Sequence, residues 1–517
     1  MDPSAVSLPV VWKHVCSRRT DLLDVALAGP PPRGKFLADG VSWVPLYAPH
    51  ARRWLPRQRN DYAKLLAQVA GDAGAKVWER TSAIAAAARI PDAGPPIVHR
   101  YLDSPNVNLA EAALGALAWT GEPDTALPLL LAHIGDDQAR VAIYAAGRVA
   151  GFLPPSRLGE ILSPVLETGK VTSRKETLRL AARMSVPDAG HLLTQAWRRD
   201  EQHRDVRTAA VSAARQRLDD PASWSILEEA VGGDRPYALA ALACPDPYTV
   251  AQRHRLAYGR LVARACLDPD PEVTVAAMGI LPRWAAWTPD ISTTLTTRIS
   301  DLHDRVNWRA VIPALRGLLD AEQTGTALRD IVDTLAVLGS QAAQDEPDRD
   351  RPARQRLGQI EQAVATWSTR AAPELDRTGI ADAGRALAGY PDLQPNAATL
   401  LLHALPLHER DPQPSIETLT EICRLVEDRP VAAGTLAGIA GSRAADHNRT
   451  DPETARTCAV LLAREPGLVP GLLAVALLRS GHRLGWPAPW RNKILRLRRH
   501  EVADVRTAAL AISLVPE

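Results

Sequence analysis

The stretch Asp205-Val206-Arg207-Thr208-Ala209-Ala210 occurs twice in this chain, unchanged. It returns as Asp504-Val505-Arg506-Thr507-Ala508-Ala509, and in a degraded form as Pro271-Glu272-Val273-Thr274-Val275-Ala276-Ala277. If Val206 is position i, then positions i+3, i+4 and i+7 are all alanine, which places four small apolar side chains on one helical face. The stretch therefore predicts an amphipathic helix that recurs along the chain.

This helix pattern has a nearly constant period. Seven positions that begin it are 31 to 36 residues apart: Val107, Ala139, Arg174, Val206, Tyr237, Val273 and Val306. Other apolar segments, such as 125–134 and 157–166, lie between these positions after Gly or Pro turns. Each unit then reads as helix, turn, helix. A fixed-period helical repeat is typical of an α-solenoid, whose stacked helices form a binding surface.

The pattern resembles the short HEAT-like repeat family, whose second helix often begins with Asp, Val and Arg. These residues stand here at 205–207 and 504–506, and more loosely at 137–140. The resemblance covers roughly residues 75–320 and 450–517. It implies an all-α solenoid of stacked helix-turn-helix repeats. The family includes scaffolds, lyase subunits for bilin pigments and unusual DNA glycosylases, so the resemblance leaves activity open.

The sequence divides into four parts. Residues 1–70 do not follow the repeat and are predicted to be an irregular cap over its first helices. Residues 71–339 form the regular array, and 340–356 are a charged, proline-containing linker or loop. Residues 357–517 form a second helical block, which either continues the repeats or is a separate bundle. The last repeat helix begins near Asp504 and no polar closing helix follows it, so either the preceding helices cover its apolar stripe or, as we expect, that end contacts a partner or a second copy.

Composition limits the classes of protein. The 61 basic and 59 acidic residues give a formal net charge of +2, which excludes a uniformly basic nucleic-acid coat but allows local patches. The excess of arginine fits either phosphate recognition or a GC-rich coding bias. Five dispersed cysteines suit a reducing compartment. No signal segment or bilayer-length apolar run is present, so we expect a cytoplasmic protein and no membrane contact.

Catalytic motifs are missing from the sequence. It contains no two-histidine zinc helix, no Gly-rich phosphate loop and no Gly-x-Ser-x-Gly turn. Asp268, Asp270 and Glu272 flank prolines in a turn and are predicted to cap a helix rather than to bind calcium. We expect no catalytic residues, no cofactor and no metal, and a non-enzymatic role is favoured.

Two groups of residues are candidates for binding. The first combines aromatic side chains with one arginine and is predicted to contact a protein partner, with core packing as the alternative: Trp284, Trp287, Trp308 and Arg283. The second could contact phosphates and stack on bases, with a solvated helix face over buried tryptophans as the alternative: Arg491, Lys493, Arg496, Arg498, Arg499, Trp486 and Trp490.

A third group is predicted to be structural, with a row of ligand-contacting guanidinium groups as the alternative. In HEAT-like arrays an arginine near the start of the second helix commonly pairs with a turn aspartate, forming a ladder along one edge. The corresponding residues here are Asp137, Arg140, Asp205, Arg207, Asp504 and Arg506.

The leading hypothesis is a non-enzymatic scaffold that binds a protein partner on the concave face of the solenoid. The alternative is a nucleic-acid-binding or DNA-repair protein similar to HEAT-like DNA glycosylases, although their functional residues have no assigned counterparts here. A bilin-lyase-like accessory subunit is a third, weaker hypothesis that no residue selects.

Overall fold

The computed structural model describes residues 2–27, 29–39, 41, 43–135, 137–320, 326–341, 351–370, 377–446 and 448–514. Throughout these ranges the regular secondary structure is helical, apart from one isolated β-bridge between Gly34 and Leu37. Helix packing divides the chain into two units, Met1–Ala230 and Val231–Glu517. No helix in the described part of the chain is both long enough and apolar enough to cross a bilayer.

The first unit holds thirteen of the described α-helices, the last of which ends at the unit boundary. They are α1 (Pro9–Arg18), α2 (Leu23–Leu27), α3 (Pro56–Gly71), α4 (Val77–Ala87), α5 (Pro95–His99), α6 (Val107–Leu117), α7 (Pro123–His133), α8 (Ala139–Ala150), α9 (Pro155–Thr168), α10 (Val171–Arg183), α11 (Ala189–Arg198), α12 (Arg204–Ala214) and α13 (Pro221–Val231).

The second unit holds the remaining described α-helices. They are α14 (Arg235–Leu242), α15 (Gln252–Ala265), α16 (Pro271–Trp284), α17 (Ile291–Ser300), α18 (Val311–Asp320), α19 (Ala327–Gln341), α20 (Pro352–Arg370), α21 (Arg377–Ala388), α22 (Gln394–Ala404), α23 (Gln413–Leu425), α24 (Pro430–Ala444), α25 (Pro452–Leu462), α26 (Leu468–Leu477), α27 (Ala488–Leu497) and α28 (Ala503–Leu510).

The helices of each unit stack in rows. In the first unit α4, α6, α8, α10 and α12 pack one on the next, and α7, α9 and α11 form a second row. In the second unit the corresponding row runs from α14 through α16, α18, α20, α22, α24, α26 and α28. Alternate helices therefore contact each other as in a solenoid, and the predicted all-α solenoid class is confirmed.

Local sequence explains where the helices begin. Pro155, Pro271 and Pro452 open α9, α16 and α25, because the first turn of a helix needs no donor from a backbone N–H. Asp270 caps α16 by accepting from the backbone N–H groups of Glu272 and Val273, at 2.9 and 3.3 Å. The acidic turn before α16 thus contains a helix cap.

The repeated apolar stripe faces the core. In α12, Val206, Ala210 and Ala213 are buried, and alanine lets neighbouring helices approach closely. Two predicted stripe positions are wrong. Val107, the first residue of α6, is 53% exposed, and Val306 is 57% exposed in the turn before α18. Neither has a preceding helical turn to hold its side chain against the core.

Residues 1–70 carry an aromatic core of their own. The indole N–H of Trp12 donates to the carbonyl of Tyr47 at 2.7 Å, and that of Trp54 donates to the carbonyl of Cys16 at 3.1 Å. The Tyr62 hydroxyl of α3 donates to the Pro45 carbonyl at 2.6 Å. These bonds tie the irregular segment between α2 and α3 to helices on both sides of it.

The predicted linker at 340–356 is helical at both edges, because α19 extends to Gln341 and α20 begins at Pro352. Its centre, 342–350, lies outside the described residues. On the far side α20 packs against α18 and α22, so the row of stacked helices in the second unit includes α20, α22, α24, α26 and α28.

At the C-terminal end the apolar stripe of α28 is covered by the chain itself. Val505 and Ala509 are fully buried and belong to one core cluster with α26 and α27. Gly471 of α26 makes this possible, since a Cβ there would stand 2.6 Å from a methyl group of Val505. The stripe is therefore covered by helices of the same chain at these residues, and contact of this end with a partner or a second copy stays a prediction.

Candidate functional site

Trp284 was predicted to contact a partner, but it is a core residue. Its side chain is 0% exposed, and its ring stacks on that of Tyr258 with centroids 4.8 Å apart. Its indole N–H donates to the carbonyl of Cys244 at 3.1 Å. Since no part of the ring reaches the surface, Trp284 cannot present a contact to a partner.

Trp308 is also buried, which corrects a second predicted contact. It lies in the short 3-10 turn before α18, and the guanidinium groups of Arg309 and Arg356 stand 5.0 and 5.1 Å from its ring centroid. Arg356 donates to the carbonyls of Ile299 and Asp304, both at 2.5 Å. The ring therefore packs in the interior beneath arginines that hold a turn.

Trp287 does reach the surface, and it does so with two residues that the sequence analysis missed. Its ring meets that of Tyr248 edge to face, with centroids 5.5 Å apart, and Tyr248 is 73% exposed. The guanidinium of Arg255 stands 4.9 Å from the Tyr248 ring and 5.1 Å from the Trp287 ring. We call Tyr248, Arg255 and Trp287 the Tyr248 cluster.

A groove of about 720 Å³ adjoins the Tyr248 cluster. Its wall includes Tyr248 itself and the predicted residue Arg283, whose side chain is exposed. The remaining lining residues, among which are three prolines and two glycines, are Asp246, Pro247, Met278, Gly279, Pro282, Pro313 and Gly317. Of the four predicted partner-binding residues, the structure thus brings Arg283 and Trp287 to one surface and places Trp284 and Trp308 beneath it.

The aromatic half of the predicted phosphate site is wrong. Trp486 and Trp490 are both 3% exposed, and the indole N–H of Trp490 donates to the Ser480 hydroxyl at 3.1 Å. Gly481 admits this ring, because a Cβ there would stand 2.6 Å from Trp490. Neither indole can stack on a base while it is packed in the core.

The basic half remains at the surface. Arg491, Arg496 and Arg499 are exposed, whereas Arg498 is held inside by its bonds to the carbonyls of Ala509 and Ile512, at 3.3 and 2.9 Å. Partial burial lowers the pKa of Lys493, and the neighbouring charges of Arg496, Arg464 and Arg456 lower it further. Positive charge does accumulate here, and phosphate contact by these residues stays a prediction.

The predicted aspartate–arginine ladder is replaced by a different contact. Arg207 donates to the carbonyls of Arg199 and Asp200 at 2.7 and 3.3 Å, in the turn that precedes its helix. Arg506 does the same with His500 and Glu501, at 2.8 and 2.7 Å. These arginines cap backbone carbonyls left open where the preceding helix ends.

The aspartates of the ladder have other roles. The carboxylate of Asp205 lies 3.8 Å from the Lys175 ammonium of the neighbouring repeat, and Asp137 and Asp504 are exposed. Among these described residues Asp205 and Asp504 make no ion pair with Arg207 or Arg506. Arg140 is exposed on α8 rather than engaged in a ladder.

Arg207→Ala should therefore destabilise the protein more than Asp205→Ala. The first change removes a donor from two turn carbonyls, of which that of Arg199 keeps the backbone N–H of Gln202, and this costs about 1 kcal/mol at a partly exposed position. The second removes a long surface ion pair, which is expected to cost about 0.5 kcal/mol or less. Urea unfolding of the two variants measures the difference. A larger loss of stability for Asp205→Ala than for Arg207→Ala would instead support the aspartate–arginine ladder.

The first unit carries a basic and aromatic surface that the sequence analysis did not identify. Arg140, Tyr144 and Arg148 lie at i, i+4 and i+8 on the exposed face of α8. The Trp119 ring is flanked by the guanidinium of Arg148 at 3.6 Å and that of Arg89 at 5.0 Å. A cavity of about 910 Å³ opens beside Trp119, so we call this surface the Trp119 surface.

The neighbouring helix extends this surface. Lys175, Arg179 and Arg183 follow the same spacing on α10, and a cavity of about 390 Å³ lies between α10 and α12. Arg179 is partly compensated by Glu176 at 2.9 Å. The spacing of these residues can be read from the sequence, but the repeat pattern identifies the buried face of these helices and not the exposed one.

The described residues contain no group of three or more His, Cys, Asp or Glu side chains arranged to hold a metal ion. All five cysteines are free thiols, and burial raises the pKa of Cys16 and Cys266 to about 12.

No protein-family model matches the chain, and no curated protein matches it. Among solved structures, a Kap95p complex with RanGDP is similar over 88% of this chain and 73% of that chain, with 11% identity and a TM-score of 0.36. A crystal structure of importin beta is similar over 97% and 68%, with 13% identity and a TM-score of 0.30. At these TM-scores the likenesses decide nothing about partners, and the fold class rests on the packing of the chain's own helices.

Proposed function

We propose that this protein is a non-enzymatic scaffold that binds a partner protein at the surface formed by the Tyr248 cluster and its groove. The observation that carries the proposal is the exposed Tyr248 ring, held against Trp287 and Arg255 at the mouth of a groove of about 720 Å³. Tyr, Trp and Arg are the residues that most often dominate binding energy at protein interfaces.

The groove is suited to a partner side chain because its wall is rigid. Pro247, Pro282 and Pro313 lose little side-chain freedom when they are covered, and Gly279 leaves open space beside it. Arg283 at the edge offers a guanidinium to a partner carboxylate. A partner segment with one apolar anchor beside an acidic residue fits this arrangement.

Tyr248→Ala and Arg283→Glu should each weaken partner binding by about 10-fold or more, because each removes or reverses a central contact. The measurement is affinity capture with nuclease-treated extract, followed by titration of the purified partner. Tyr47→Ala and Arg410→Glu, at exposed positions elsewhere, are the matched controls. If both groove variants bind as tightly as the controls, the partner uses another surface.

The alternative function is nucleic-acid binding, which the Trp119 surface favours. Arg89, Arg140, Arg148 and Arg183 bring positive charge to a face that also exposes Trp119 and Tyr144. Such a combination suits phosphates and stacked bases. Partners lost on nuclease treatment, together with an affinity that falls steeply with added salt, would favour this function over protein binding.

A further inference from the structure

Three arginines and two histidines converge where four helices of the second unit begin or end. Arg377 is the first residue of α21, Arg443 lies in the last turn of α24, and Arg449 follows α24. His403 lies in the last turn of α22, and His408 follows that helix. We call these five residues the Arg377 cluster.

Two of the arginines already have backbone partners. Arg443 donates through Nη1 to the carbonyl of Leu402 and through Nη2 to that of Leu405, the latter at 2.8 Å. Arg449 donates to the carbonyl of Ser368 at 2.7 Å. These two guanidinium groups satisfy carbonyls at the C-terminal ends of α22 and α20, so their presence is explained by the fold.

Arg377 is different because two of its donor atoms have no partner. Its Nε and Nη1 atoms are shielded from solvent and have no hydrogen-bond partner. Burial lowers the pKa of Arg377, as does the positive charge of Arg449, and Glu409 offsets this only in part. A guanidinium stays protonated in proteins, and buried donors without acceptors are costly, so an acceptor from outside the chain is the simplest remedy.

The charges around Arg377 also require an anion. The carboxylate of Asp446 is taken by the Arg449 Nε at 3.2 Å, and Glu409 is exposed. The positive charges of Arg377 and Arg449 lower the pKa of the buried Arg443 in addition to its burial. Among the described residues, three guanidinium groups thus lie near two carboxylates, one of which is engaged and the other at the surface.

The buried His403 lies near Arg443, but its neutral ring carries its proton on Nδ1, which donates to the Ser368 hydroxyl, so its Nε2 is not a donor to an anion. Its side chain is 4% exposed, and its Nε2 makes no hydrogen bond. The N-terminal end of α21, a twelve-residue helix, adds its own partial positive charge beside Arg377. Exposed His408 and Glu409 mark where the cluster opens to solvent.

From the unpartnered Arg377 donors and the excess of guanidinium groups around them, we propose that the Arg377 cluster binds a phosphate-type oxyanion. The oxyanion accepts from Arg377 Nε and Nη1 and neutralises the excess positive charge. Free phosphate and a phosphomonoester share this chemistry. The proposal does not depend on the partner-binding groove.

The experiment is calorimetric titration of the full-length protein with inorganic phosphate at constant ionic strength in chloride. The wild-type protein should show one saturable site, and Arg377→Gln should weaken it by about 10-fold or more, the usual cost of a lost charged hydrogen bond. Arg385→Gln, on the same helix but paired at the surface with Glu421, is the matched control and should bind as the wild type does. A parallel titration with glycerol phosphate distinguishes a phosphomonoester from the free ion.

Thermal unfolding gives a second readout that a purely structural arginine would not produce. Without phosphate, Arg377→Gln should melt no lower than the wild type, because it removes a buried charge whose Nε and Nη1 lack partners. Phosphate should raise the melting temperature of the wild type and not that of Arg377→Gln. The proposal is overturned if the wild type shows no saturable binding, which means that water fills the site, or if Arg377→Gln responds to phosphate as the wild type does.

Discussion

Trp284→Ala is expected to lower the free energy of unfolding by about 3–5 kcal/mol, the usual cost of truncating a buried tryptophan. The ring fills the interior of the second unit, where it stacks on Tyr258, and its removal leaves a cavity. It also leaves the buried carbonyl of Cys244 without its donor. Urea unfolding followed by circular dichroism measures the loss.

Trp287→Ala is the matched control, because the same residue type lies three positions away but is half-buried. It should cost less than half as much stability while weakening partner binding at the Tyr248 cluster. The two variants thus distinguish a residue that stabilises the core from one that contributes to partner binding. Equal losses of stability for the two variants would contradict the assignment of Trp284 to the core.

This pair shows why the sequence alone could locate the tryptophans but not orient them. Helix α16 ends at Trp284, and the next residues form a short 3-10 turn that carries Trp287 to the surface. The turn fits because Gly259 of α15 has no side chain, and a Cβ there would stand 2.1 Å from the Trp287 carbonyl oxygen. Which ring faces outward therefore depends on a glycine in another helix.

The repeat itself could be predicted because helical burial is a local property. The spacing of Val206, Ala210 and Ala213 fixes a buried face whatever packs against it. The same holds at the other end of the chain for Val505 and Ala509. Which helices cover a face depends on how the rest of the chain packs. The burial of α28 by α26 and α27 could therefore not be predicted from the spacing of its own residues.

For the repeat arginines, aspartate carboxylates and backbone carbonyls compete as hydrogen-bond acceptors, and sequence spacing does not show which of them is bonded. Asp205 stands near Arg207 in sequence, yet the guanidinium bonds to the carbonyls of Arg199 and Asp200. The preceding helix leaves those carbonyls without intrahelical partners, so they compete with Asp205 for the guanidinium, and the Arg199 carbonyl also accepts from the backbone N–H of Gln202 at 3.1 Å. Arg174 and Arg80 bond to the turn carbonyls of Gly169 and Ala70 in the same way, at 2.7 and 2.9 Å. Several arginines of the second helices thus stabilise the turns before them by donating to backbone carbonyls.

Acidification should destabilise this protein through His403. Burial lowers the pKa of His403 to about 4, and the nearby positive charge of Arg443 contributes. The Ser368 hydroxyl donates to the carbonyl of Ala365 at 2.9 Å, so its oxygen accepts from His403 Nδ1 at 2.9 Å. The proton of the neutral ring therefore resides on Nδ1, and a second proton would have to enter the buried interior at Nε2.

Acid lowers the free energy of unfolding because the unfolded chain binds the proton more readily than the folded protein does. In the unfolded chain a histidine titrates near pH 6.5, so between about pH 6.5 and 4 the unfolded state is protonated while folded His403 is not. Lowering the pH through this window stabilises the unfolded state. The free energy of unfolding should fall by about 3 kcal/mol on this account, and below about pH 4 the decline from His403 should stop.

The measurement is urea unfolding at several pH values between 7 and 4, in chloride salts without phosphate, for the wild type and His403→Asn. The asparagine keeps an N–H donor for Ser368 but cannot titrate, so its stability should fall less steeply than that of the wild type over this range. His303→Asn removes an exposed histidine from the same unit and is the matched control. If the two variants flatten the pH dependence equally, the acid sensitivity does not originate at His403. If only His403→Asn does so, a single buried imidazole accounts for it.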